Sequence, residues 1–252
     1  MKASLLTAAG LILGLALIVP PIAEAAELKV LAGGSIAGPL NELKMQFEQS
    51  TGHKLTIQFD STPNLIKAVT SDVPFDLGVV PVDVFKDAAA KARFVPGPTI
   101  DIARVGYGVA VRAGAAKPDI SSPDALKLTL IKAQSIATLP ASAAGAYVLS
   151  VFDRLGIGEE IKAKIKAQKT PAEIPQAVAK GEAELGVFLT NVLIAPGVEL
   201  AGAFPAELQQ ELLFTAAVAQ ASKEADAAKA LIAFLTSPAA TAVIKAKGMN
   251  PG

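Results

Sequence analysis

Small hydroxyl and glycine residues gather where a short apolar run gives way to an amphipathic one. The first such place is Gly33-Gly34-Ser35, between LKVLA (28–32) and the spaced apolar residues Ile36, Leu40, Leu43 and Phe47. The second is Asp60-Ser61-Thr62-Pro63, after KLTIQF (54–59) and before a helical pattern over 64–70. A third, PASAAG, follows SIATL (135–139) and opens another helical pattern. Glycine leaves backbone N–H groups uncovered, and serine and threonine add hydroxyl donors. A helix N-terminus carries unsatisfied N–H groups and a partial positive charge. Such junctions either cap themselves or hold an anion. Thr62 as N-cap with Pro63 at the first helical position reads as a helix start. For the first helix the cap is Gly38, which leaves the Ser35 hydroxyl free, or Ser35 itself, which uses that hydroxyl locally. Asp60 is a local cap or a selectivity group.

Other chemistries find little support. GGSIAG is not the G-x-S-x-G nucleophile elbow. The single histidine, His53, follows Thr51-Gly52 in a turn and is expected to be exposed, away from Ser35. No H-E-x-x-H or carboxylate–histidine cluster suggests a metal, and the chain has no cysteine for a thiolate, a disulfide or a metal. The chain is expected to be a binder and not an enzyme, with no cofactor and no metal. Asp76 reads as a local cap and Tyr147 as a core residue.

The elements that must position these residues alternate. Strands 28–32, 54–59 and 76–81 are separated by helices 36–49 and 64–70, and a helix over 83–94 follows. That is the pattern of a parallel α/β sheet, in which ligands bind beyond the carboxyl ends of the strands. Further along, a strand 104–113, a helix 124–132, a strand 135–139, a helix 159–168, a helix ending at Lys180-Gly181, a strand 184–190 and a strand 211–220 are expected. Helices 224–235 and 239–247 close the chain. The two long strands near 104–113 and 211–220 bracket a middle block. The simplest arrangement is two lobes, 26–104 with 217–252 and 105–216, joined by those strands as a two-stranded hinge.

The first residues, MKASLLTAAGLILGLALIVPPIAEA, combine Lys2, an apolar run and Ala23-Glu24-Ala25. This predicts a secretory signal peptide over 1–25, cleaved near Ala25, and a periplasmic protein. About 225 residues follow, enough for one large or two small domains. Positive and negative side chains number 23 each, with no basic stripe, so nucleic acid is not an expected partner. Tryptophan is absent and aromatics are few, which argues against a stacking groove or aromatic cage.

Five pieces in order carry a family resemblance. They are LAGGSIAGPLNELKMQFEQSTGHKLTIQFDSTPNLIKAV, PFDLGVV, ASAAGAYVLSVFDRLGI, VAKGEAELGVFL and ADAAKALIAFLTSPAATAVIKAKG. From about Leu28 onward the sequence resembles the molybdate-binding substrate-binding proteins of ABC transporters, with the type II periplasmic-binding fold. The resemblance implies two α/β lobes closing on an oxyanion that neutral hydrogen bonds hold, delivery to a membrane permease, and a monomer. It aligns the family's first-strand serine with Ser35, beside Gly34, and its serine pair with Ser61 and Thr62. It puts a backbone donor of the second lobe at Ala144, next to Gly145, and another near Pro171 or Ala172. The family's cleft tyrosine falls on Leu189, which has no hydroxyl.

Overall fold

A computed structural model describes residues 25–252. The expected leader, apart from Ala25, lies outside the described residues. The chain opens with β1 (Glu27–Gly33), α1 (Ala37–Thr51), β2 (Lys54–Asp60), α2 (Thr62–Thr70), β3 (Leu77–Pro81), α3 (Ala88–Lys91) and β4 (Ile100–Val105). A second group follows: β5 (Tyr107–Arg112), α4 (Pro123–Lys132), β6 (Ile136–Thr138), α5 (Ala143–Arg154), α6 (Gly158–Ile161), β7 (Ile165–Ala167), α7 (Glu173–Lys180), β8 (Leu185–Leu189), α8 (Thr190–Leu193) and β9 (Val198–Ala203). The chain then returns through β10 (Leu212–Val218), α9 (Ala225–Leu235), α10 (Pro238–Ala246) and β11 (Asn250–Pro251). One sheet has the order β11-β4-β10-β3-β1-β2 and the other β7-β6-β8-β5-β9. Each sheet is the centre of one lobe.

Alternation decides how the first sheet is covered. In β1, Leu28, Val30 and Ala32 pack with Ile36, Leu43 and Phe47 of the first helical segment. Leu31 points the other way, into a cluster with Leu65, Val69, Phe75 and Phe94. Both faces are therefore buried, as the helix crossovers of the parallel part β2-β1-β3 require; the expected mostly parallel sheets are mixed, because β10, which returns from the other lobe, and β4, β5 and β11 pair antiparallel. β1 and β2 pair in parallel from Glu27↔Lys54 to Gly33↔Asp60. That register ends both strands at one level and brings the two junctions after them side by side. Gly33 is required there, because a Cβ would lie 2.6 Å from the Phe214 ring.

Two chain crossings join the lobes. The first long strand expected from sequence is broken at Gly106: β4 belongs to one sheet and β5 to the other. The second strand does not itself cross. From Leu212 onward β10 pairs with β3 and β4, so the return lies in residues 204–211, upstream of a boundary at 216. Gln209 ties the crossings together: its Oε1 accepts from Tyr107 N–H at 2.8 Å and its Nε2 donates to the Tyr107 carbonyl at 3.0 Å. Burial, with Tyr147 and Asp83 as lesser causes, pushes the Tyr107 hydroxyl pKa up, so this ring stays neutral in the core.

Other expectations change locally. Residues 83–94 form a 3-10 turn (Val82–Lys86) and the short α3, because Asp87 interrupts the helix and caps α3 through Ala90 N–H. Residues 159–168 form only α6 and a 3-10 turn before β7, whose Ile165–Ala167 pairs in parallel with β6. There the period-two spacing within KIKA outcompetes the helical reading. β9 and β11 are additional strands. The last two helices and the α4 pattern occur where expected, each of α4 and α10 starting with a serine cap followed by proline.

Candidate functional site

The paired ends of β1 and β2 face the N-terminus of α5 across the gap between the lobes. Gly33, Gly34, Ser35, Asp60, Ser61, Thr62 and Pro81 from the first lobe line a small cavity with Leu139, Ser142, Ala144 and Pro171 from the second; Leu212 and Phe214 complete it. Its volume is about 20 Å³. A single water needs about 10–15 Å³, so a tetrahedral oxyanion enters only when the lobes separate.

The local folding explains which donors remain available. Gly34–Ile36 form a single 3-10 turn, and α1 begins at Ala37 with Ile36 as N-cap and no side-chain cap. Neither Gly38 nor Ser35 caps the helix. In α2 the N-cap is Ser61 and not Thr62, again without a side-chain cap bond, and proline sits one position later than expected. Among the described residues, the hydroxyls of Ser35, Ser61 and Thr62 have no hydrogen-bond partner in the protein. Thr62 and Ala144 stand in the first turns of α2 and α5, where backbone N–H groups have no acceptor within the helix.

The remaining expected residues separate from this group. Gly145 donates its N–H to Ser142 Oγ at 2.9 Å, and a Cβ there would overlap the Leu139 carbonyl. It is a packing glycine with its donor already used. Ala172 is exposed and lines the neighbouring inter-lobe groove with Pro171, which has no N–H. Leu189 is fully buried at the end of β8, paired with Tyr107, and is not among the residues lining the cavity. Its side chain packs in the core, so it neither supplies nor withholds a cleft contact. His53 is partly buried and not exposed: it accepts from Ala26 N–H at 3.0 Å and stacks on Phe47. Tyr147 donates to the Leu208 carbonyl, and Asp76 accepts from Lys29 N–H and Ser222, both structural arrangements.

The charge balance of the cavity is simple. Asp60 is the titratable side chain on its wall among the described residues, and no lysine or arginine lines it. Asp60 Oδ1 accepts from Ser61 N–H and from Asn64 Nδ2, both at 2.8 Å. The carboxylate is thus tied to the start of α2, where it complements the helix dipole. Sequence reasoning missed Ser142, the α5 N-cap, although a serine two residues before Ala144 is the usual capping signal. It also missed Asn191, whose Nδ2 donates to the Ser35 carbonyl at 2.7 Å across the lobes. No local pattern marks a contact between residues 156 positions apart.

Two lobes, two crossings and an inter-lobe cavity walled by strand ends and helix N-termini define a periplasmic-binding protein of the type II class. Comparison with known proteins agrees. The family described as "Bacterial extracellular solute-binding protein" matches residues 28–250. The aconitate isomerase of a Pseudomonas species is 34% identical over 89% of this chain and 87% of its own length. The molybdate-binding protein ModA of Azotobacter vinelandii is 30% identical over 90% of each. The solved structure of an Azotobacter vinelandii periplasmic molybdate-binding protein superposes with a TM-score of 0.75 at 21% identity, over 89% of this chain and 99% of that one. The sulfate-binding protein SubI of Mycobacterium tuberculosis H37Rv gives 0.70 at 18%, over 90% and 87%. The chain belongs to the bacterial extracellular solute-binding proteins, in the family of the molybdate-binding proteins.

Proposed function

We propose that this protein captures a compact multivalent oxyanion, such as molybdate or a related anion, between its lobes in the periplasm and presents the closed form to an ABC permease. The observation that carries the reading is the convergence of three unpartnered hydroxyls, Ser35, Ser61 and Thr62, with the N-terminus of α5 on one cavity. Oriented neutral donors and helix N-termini replace the water shell of such an anion without a counter-charge. The ligand binds one lobe first and touches the other on closure, which pulls the open–closed equilibrium toward closed. The N-terminal leader supports export, with cleavage near Ala25. Calorimetric titration of the protein from a periplasmic extract with molybdate, tungstate, sulfate and phosphate tests this reading. Saturable binding that Ser35→Ala and Ser61→Ala weaken supports it; no binding of any of the four overturns it.

The relative named aconitate isomerase gives a specific reason for a second reading, a small polycarboxylate ligand with or without turnover. Asp60 supplies one base for a proton shift. Against it stand the missing cation on the cavity wall and the lack of a second acid or base there among the described residues. Adding aconitate to the titration, and following its isomerisation by proton NMR, decides between the two.

A further inference from the structure

We propose that Asn191 is the latch of the clamp: its side-chain amide, on the second lobe, holds the backbone of the ligand-facing Ser35 turn on the first and so sets how long the closed state lasts. The inference rests on the binding reading above and adds to it a residue that touches no ligand. Asn191 lies in α8, directly after β8, and Nδ2 donates to the Ser35 carbonyl at 2.7 Å. Among the described residues, this is the side-chain hydrogen bond that joins the lobes away from the two crossings. Its acceptor is the carbonyl of Ser35, a residue that lines the cavity. Closing the latch therefore fixes the turn that aims a ligand donor.

Three further contacts mark this seam as the place where closure is registered. A Cβ on Gly34 would lie 3.2 Å from Pro171 Cγ, so the Ser35 turn already abuts the loop before α7. Gly248, after α10, has a positive φ of 75°, and a Cβ there would lie 2.8 Å from Ile194 Cδ1 and 3.6 Å from Asn191 Cα. The end of α10 thus backs onto α8 on the far side of the latch. A groove of about 680 Å³ runs along the same seam past Ser35, Asn191 and Lys247.

The amide is only half satisfied. Asn191 Oδ1 is buried and has no partner among the described residues. When the lobes part, water reaches both ends of the amide; when they close, one end gains the Ser35 carbonyl and the other loses its hydration. The loss of hydration offsets only part of the gain, so the latch favours the closed state by a modest margin that leaves the open state populated. A ligand bridging the lobes then needs little differential affinity to settle the balance. A strong latch would close the protein without ligand, and no latch would release ligand early.

The absence of cysteine allows site-specific labelling without background. Lys67→Cys on α2 and Lys166→Cys on β7, both exposed, carry spin labels, one on each lobe. Pulsed dipolar spectroscopy without added anion reads the inter-lobe distances directly. Asn191→Asp sets a carboxylate against the Ser35 carbonyl, and Asn191→Ala removes the donor. Both variants are expected to lose the short-distance population and to melt with the wild-type cooperativity. Stopped-flow release of bound molybdate should quicken by about tenfold, with association little changed. Unchanged distance distributions and release rates in both variants would overturn the latch. The two readings separate cleanly: if the wild type binds none of the tested anions yet Asn191→Asp still opens the lobes, the latch stands and the oxyanion reading falls.

Discussion

At the scale of single residues, the site divides into donors that are free and donors that are used. Ser35 belongs to the first class, since its hydroxyl has no protein partner and its turn lies on the cavity wall. Ser35→Ala should weaken anion binding by about 1.5–3 kcal/mol, the range for a hydrogen bond to a charged group, with little change in melting temperature. Calorimetry alongside a thermal melt measures both; unchanged affinity would show that Ser35 only shapes the turn. Gly145 belongs to the second class. Gly145→Ala drives a methyl into the Leu139 carbonyl and should destabilise the fold by about 1–3 kcal/mol, or more, in urea unfolding. The free and the used donor sit in similar small-residue turns, and composition alone does not separate them. What separates them is the cap: Ser142 engages Gly145, whereas Ser61 and Ser35 cap nothing.

At the scale of elements, the loop that leads into α7 closes one wall of the site, and Glu173 holds it. Its Oε2 accepts from the N–H groups of Lys169 and Thr170, and the Lys169 bond is the main cause that keeps this carboxyl below the usual 4.5. A lowered folded pKa means the hold is complete above the ordinary value and is lost as pH falls through the folded one. The Lys169 amide resonance should therefore titrate with a midpoint below 4.5, and Glu173→Gln should abolish that titration. A midpoint at or above 4.5 would sink the assignment. Elements of both lobes show how far the sequence reaches. The strand ends at Gly33 and Asp60 were legible, because apolar alternation stops at glycine, serine and proline. The resemblance puts Leu189 in the cleft and strand alternation through 184–190 permits either face, but every residue of β8 is buried and Leu189 is not on the cavity wall. The helix over 159–168 failed because Ile161 and Ile165 fit helical spacing, whereas the edge of a sheet was waiting for Ile165–Ala167.

At the scale of the molecule, the lobes meet so closely that ligand size becomes a testable variable. Gln209 and Gly106 concentrate the connections into two adjacent segments, where a Cβ on Gly106 would press on the Gln209 amide at 3.1 Å. Motion is then a hinge about that line, with each sheet moving as a body. The closed cavity, at about 20 Å³, favours a compact tetrahedral anion over a larger one. A branched polycarboxylate needs a wider gap, and a gap at Ser35 breaks the bond to Asn191 first, since that bond spans the lobes on the same turn. With wild-type protein, saturating molybdate should sharpen the inter-lobe distance distribution around the closed value, whereas aconitate at the same concentration should leave it open and broad. The thermal shift should follow the same order, rising by about 2.7 kcal/mol of stability at a hundredfold excess over Kd for whichever ligand bridges both lobes. Full closure and the larger stabilisation with aconitate would reverse the ligand assignment, and would mean that a tricarboxylate reaches both lobes through donors other than Ser35, Ser61 and Thr62.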